Sequence, residues 1–84
     1  MDEKRYGFAG IFVEKQEDNV KKIQEILTEY SSCILGRMGL PHIGDDNLAI
    51  ITLILHATTD EIGSLTGKLG AIPGVTVKSG IRKK

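Results

Sequence analysis

Apolar residues recur along this chain with two different periods. The alternation between those periods predicts the order strand, helix, strand, strand, helix, strand. Tyr6 to Val13 (YGFAGIFV) is rich in aromatic and β-branched residues and reads as a strand, weakened by Gly7 and Gly10. The polar stretch EKQEDN leads from it into a helix, with Asp18 or Asn19 as a plausible N-cap. Val20, Ile23, Leu27 and Tyr30 then recur at spacings of three and four, and Ile26 widens the stripe. Lys21, Lys22, Gln24, Glu25 and Glu29 fall on the other faces, which predicts an amphipathic helix. Ser31 and Ser32 break the pattern. CILGRMGL reads as a glycine-weakened edge strand, with Ile34, Met38 and Leu40 on one side and Leu35 and Arg37 on the other; Pro41 is expected to stop it. PHIGDDN has the composition of a hairpin connection.

LAIITLILHA (Leu48 to Ala57) is the strongest strand signal. Thr58 with Glu61 three residues on has the spacing of a capping box, and Ile62, Leu65 and Leu69 supply the stripe of a second helix. Gly70 is a suitable C-terminal cap, and Pro73-Gly74 has the chemistry of a type II turn. Val75 to Ile81 alternates as a last strand. The order is that of the ferredoxin-like βαββαβ sandwich, an α+β fold. Right-handed crossovers give a four-stranded antiparallel sheet of order 4-1-3-2, with both helices on one face. Residues 1–84 are expected to form one domain.

The two central strands carry apolar residues on both sides. Ala49, Ile51, Leu53, Leu55 and Ala57 point one way, and Leu48, Ile50, Thr52, Ile54 and His56 the other. In the first strand, the small set Gly7, Ala9, Ile11 and Val13 suits helix contact. The aromatic set Tyr6, Phe8 and Phe12 then joins Ile50 and Ile54 on the helix-free face. An aligned apolar surface of this kind predicts an oligomer interface, as a dimer or tetramer of this chain. At roughly 25 cal/mol per Å², covering such a patch is worth many kcal/mol before the costs of association.

Charge and composition narrow the function classes. Lys+Arg and Asp+Glu are both 11, so no direct nucleic-acid binding is expected, and Arg82, Lys83 and Lys84 read as a solvated end. The single cysteine, Cys33, fits a reducing compartment. The first residues have no signal-peptide pattern, and the longest apolar run is too short to span a bilayer. A cytoplasmic protein without membrane contact is expected. His42, His56 and Cys33 are the soft candidate metal ligands, but their spacings match no compact ligand motif, and no metal or cofactor is expected. Glu14, Glu17 and Asp18 read as loop and helix-start carboxylates. Arg37 either guards the edge strand or holds a carboxylate of a ligand or partner. Nothing forms a nucleophile–base pair, so no enzymatic activity is expected.

ILGRMGLP, DDNLAIITLIL and especially DEIGSLTGKLGAIPGVTVKS resemble the iron-only hydrogenase system regulators, over nearly the whole chain. The resemblance implies an ACT-like domain, similar in fold to the C-terminal sensing domain of nickel-responsive repressors. It further implies a regulatory, non-enzymatic role and oligomer formation through the sheets. The metal-binding positions of those repressors correspond here to Arg37, Met38, Gly39 and Asn47, so their nickel function does not carry over; a metal-sensing role would rest on His42, His56 or Cys33. The first strand begins around residue 6, which leaves no room for the repressors' DNA-binding module. ACT domains often bind amino acids in the loop after the first strand, which corresponds to Glu14 to Asn19 here. Glu14, Asn19 and Arg37 are therefore the candidate ligand-binding residues, for a small molecule or a partner protein.

Overall fold

The computed structural model describes residues 3–14, 16–43 and 47–83, without the side chains of residues 16, 17, 42 and 43. The elements run β1 (Arg5–Glu14), α1 (Gln16–Glu29), a short 3-10 turn (Ser31–Cys33), β2 (Ile34–Ile43), β3 (Leu48–Ala57), α2 (Thr59–Gly70) and β4 (Val75–Ile81). The strands form one antiparallel sheet of order β2-β3-β1-β4, which is the expected 4-1-3-2 read from the other edge. The fold is therefore the ferredoxin-like α+β sandwich.

The core lies between the sheet and the two helices. Ala9, Ile11 and Val13 of β1 and Leu53, Leu55 and Ala57 of β3 meet Ile23 and Leu27 of α1 and Ile62, Leu65 and Leu69 of α2, all buried. The period-2 stripes of the strands and the 3.6-period stripes of the helices thus converge on one layer. Among the described residues no polar or charged side chain is buried.

Local chemistry sets the element ends. Thr58 Oγ1 accepts from the Glu61 N–H at 3.1 Å, and the Thr58 N–H donates to Glu61 Oε1 at 2.9 Å, closing the expected capping box. Gly74 takes φ 84°, and the Val75 N–H reaches Ile72 O at 3.1 Å, which is the type II turn that Pro73-Gly74 predicts. Glycine meets that φ without steric cost.

Four local expectations are corrected. The first helix starts at Gln16, so Asp18 and Asn19 lie inside its first turn rather than capping it. Gly70 is the last residue of α2 and has no positive φ. The helix ends instead through the Ala71 N–H, which donates to Gly67 O at 3.1 Å. Pro41 does not stop β2, which continues to Ile43; β2 is a sheet edge, where a missing N–H costs no ladder bond. Finally, Ile34 does not share a side with Met38 and Leu40. Ile34 pairs with Leu55, yet Gly36 pairs with Ile54, so Leu35 is an extra residue in a bulge. One inserted residue reverses the side-chain alternation, which turns Ile34 to the core and keeps Met38 and Leu40 on the opposite face.

Candidate functional site: the open sheet face and the α1–β2 groove

The strand registers arrange the helix-free face in rows. Leu40, Ile50, Phe12 and Thr76 form one row, Met38, Thr52, Gly10 and Lys78 the next, and Gly36, Ile54, Phe8 and Gly80 a third. His56 and Tyr6 begin a fourth, where the Arg82 N–H donates to Tyr6 O at 2.8 Å. Two apolar bands therefore flank a more polar middle. Tyr6, Phe8, Phe12 and Ile54 are exposed, and Ile50 is half-buried. All five residues expected at an interface share this face. Met38, 70% exposed, and Leu40, 56%, extend it onto the edge strand. Isolated exposed apolar residues are ordinary on protein surfaces; an aligned group across three strands is the informative case.

Two contacts hold the aromatic rings in place. The Phe8 ring lies across Gly80, where a Cβ would sit 2.6 Å from Phe8 Cζ. Tyr6 stacks on His56 with ring centroids 4.4 Å apart and planes 15° from parallel. The rings are thus pre-positioned before any partner arrives, which lowers the ordering cost of association.

On the other side of the sheet, α1 leaves β2 partly uncovered. A cavity of about 200 Å³ there is lined by Val20, Gln24, Gly39, Leu40, Pro41, Ala49 and Ile51. It adjoins a second, of about 240 Å³, that Arg37 and Gln24 also line. Arg37 donates to Gln24 Oε1 at 2.9 Å, a neutral partner, and among the described residues no carboxylate pairs with the guanidinium. Asn19 instead braces two loops, its amide donating to Glu14 O at 3.2 Å and to Pro73 O at 2.9 Å. The structure thus brings Glu14 to Asn19 and Arg37 to Gln24, and the cavities that Arg37 and Gln24 line include neither Glu14 nor Asn19. Val20 and Gln24 were readable only as helix-face residues, because their meeting with β2 depends on the crossover.

Of the soft candidate ligands, the two whose side chains are described do not converge. Cys33 is buried in the core, whereas His56 lies on the opposite face of the sheet against Tyr6. The side chain of His42 lies outside the described residues. Among the described residues no three His, Cys, Asp or Glu side chains gather as a metal site requires. No helix among them is long and apolar enough to cross a membrane.

Residues 5–79 match the family model TM1266-like, described as "Iron-only hydrogenase system regulator, putative". The chain belongs to this family. A solved structure similar to it, the uncharacterized protein TM1266 from Thermotoga maritima, is 43% identical. The match covers 96% of this chain and 100% of that one, with a TM-score of 0.91. The ACT domain from GTP pyrophosphokinase of Chlorobium tepidum shares the fold at 19% identity, covering 92% of this chain and 99% of that one, with a TM-score of 0.75. A nitrogen regulatory PII-like protein, CPII from Thiomonas intermedia K12, does so at 11% identity, 98% and 95% coverage and a TM-score of 0.57. No curated protein matches the chain. For this member of the TM1266-like family the ACT-like fold is thus seen both in the topology and in its neighbours.

Proposed function

We propose that residues 1–84 act as one non-enzymatic regulatory domain of the iron-only hydrogenase system, in the cytoplasm, working as a homo-oligomer built through the open sheet face. The carrying observation is that face: Tyr6, Phe8, Phe12, Ile54, Met38 and Leu40 present large apolar side chains on one surface. A stable interface needs about 800 Å² from each partner, and a four-stranded sheet face is the broad, flat surface suited to supply it. The family match supports the regulatory role, and the ACT-like and PII-like neighbours support the fold in which it operates. Within these residues the strands and helices run from Arg5 to Ile81, so regulation proceeds through binding rather than through a DNA-reading module in this segment.

Ligand sensing, in this reading, falls to the polar groups of α1 and its neighbours. Arg37 offers a guanidinium in a polar hollow beside an apolar groove, suited to a small carboxylate or to an acidic residue of a partner protein. Glu14 and Asn19 sit at the opposite edge of α1, where a bound ligand would couple to the loop before β4.

Light scattering after size-exclusion chromatography tests the oligomer directly. At micromolar concentration the wild type is expected to elute as a dimer or tetramer, and the F8K/I54K double variant as a folded monomer. A wild-type monomer would sink the proposal.

A further inference from the structure

One cavity stands apart from the groove and has a different chemistry. It measures about 290 Å³ and is lined by Lys4, Arg5, Tyr6, Arg82 and Lys83. Every lining residue except Tyr6 is a cation. The two segments meet because β4 pairs with β1, and the Arg82 N–H holds Tyr6 O at the mouth. In sequence these residues lie far apart, and Arg82 and Lys83 read there only as part of a solvated end.

Four unlike observations make this cluster informative. The chain as a whole has no net charge, so a basic excess does not account for it. Two cations elsewhere are engaged: Lys68 with Glu29 at 2.9 Å, and Arg37 with Gln24. Among the described residues, none of the four cations forms an ion pair or a side-chain hydrogen bond. Lys4 acts on Glu61 only at longer range, behind the Thr58 hydrogen bonds that chiefly hold that carboxyl below its ordinary value. Like charges crowded around one hollow repel each other, and a multiply charged anion removes that repulsion. Tyr6 and Arg82 also line an adjoining cavity of about 360 Å³ with Phe8, Ile54, Gly80 and Ile81. An aromatic and apolar shelf therefore continues from the cationic hollow.

We propose that this end of the sheet binds a small ligand carrying two or more phosphoryl groups. Arginine forks match phosphate oxygens in pairs, and four cations match the charge of a polyphosphate better than that of a single carboxylate. The cations are confined to one hollow instead of following a track, which favours a small molecule over a nucleic-acid strand. The source of the phosphate, inorganic or nucleotide, is distinguished by the shelf. A nucleoside triphosphate can lay its base on Tyr6, in the outermost row of the sheet at the margin of the proposed oligomer interface, and inorganic triphosphate cannot.

The test is isothermal titration of the full chain with inorganic triphosphate and with ATP. Saturable binding weakened by added salt is expected. The K4Q/R5Q/R82Q variant is expected to bind about 100-fold more weakly. The K21Q/K22Q variant, which removes two exposed cations of α1, is expected to bind as the wild type does. Tighter binding of ATP that Y6A abolishes without changing the oligomeric state supports a nucleotide; equal affinity for both probes, indifferent to Y6A, supports a polyphosphate without a stacked base. Absence of saturable binding of either probe overturns the proposal. So does equal weakening by K21Q/K22Q, or tighter binding of a single-stranded oligonucleotide than of both probes. All these substitutions are at solvent-facing or half-buried cations and one exposed tyrosine, and circular dichroism verifies the fold. Light scattering on the same samples is a separate readout, so a failure here leaves the oligomer proposal standing.

Discussion

The two faces of this sheet use similar residues for opposite purposes. The helix-facing side is built from Ala9, Ile11, Val13, Leu53 and Leu55, all fully covered by α1 and α2. The open side is built from Tyr6, Phe8, Phe12 and Ile54, which remain 37–55% exposed in the subunit. Adjacent residues such as Leu53 and Ile54 differ little in hydrophobicity, yet one is 0% and the other 49% exposed. Their energetic roles therefore differ because of where the chain puts its helices. Burial against one's own helices stabilises the monomer; burial against another copy is realised only on association.

The largest test of this contrast sets those neighbours side by side. Leu53→Ala is expected to cost about 2–5 kcal/mol in chemical denaturation, as cavity-forming substitutions in cores do. Ile54→Ala is expected to stay within about 0.5 kcal/mol for the dissociated subunit, as surface changes do, while weakening association. Equal losses at low protein concentration would erase the distinction between the faces.

A smaller effect is expected at Gly80. An added Cβ meets the far end of the Phe8 ring, at 2.6 Å from Cζ, so the exposed ring must rotate away. Gly80→Ala should therefore cost about 1 kcal/mol or less in subunit stability, and should still raise the dissociation constant measured by sedimentation. Unchanged association would show that the Phe8 position is immaterial to the interface.

The smallest expected effect lies at the start of α2, away from both faces. Thr58→Ala removes half of the capping box, at a cost of about 1 kcal/mol. The Glu61 carboxyl is held below its ordinary value of 4.5, first by the Thr58 backbone N–H and then by the Thr58 side chain. A depressed folded-state pKa stabilises the fold above the unfolded value and loses that contribution as pH falls through the folded one. Melting temperatures should thus decline on acidification below about pH 4.5, with a shallower decline in E61Q. An identical pH profile for E61Q would remove Glu61 from this role.

Legibility of the fold followed from how local each signal is. The Thr58–Glu61 box, the Pro73-Gly74 turn and the strand of Leu48–Ala57 each depend on residues within a few positions, and each appears as expected. The β2 strand was harder, because a bulge at Leu35 is decided by pairing with β3 and leaves no local mark. Asn19 illustrates a second kind of difficulty. Its residue type suits a cap, but its amide bonds Pro73, 54 positions away, so the long-range contact determined its role.

The same division holds for the candidate sites. Alternation along the chain alone determined that Tyr6, Phe8 and Phe12 share a side of their strand, and Ile50 and Ile54 a side of theirs, because a period of two is a property of extended backbone. Topology rules let the two sets be placed on one face, and only the tertiary structure decided their register across that face, that Gly80 seats Phe8, and that Val20 and Gln24 open a groove beside Arg37. The cationic hollow depends on it most. Lys4 and Arg5 are more than seventy residues from Arg82 and Lys83 in sequence, and the antiparallel pairing of β1 with β4 is what joins them. Sequence period reports which way a side chain leaves its own backbone; strand pairing reports which side chains it then meets.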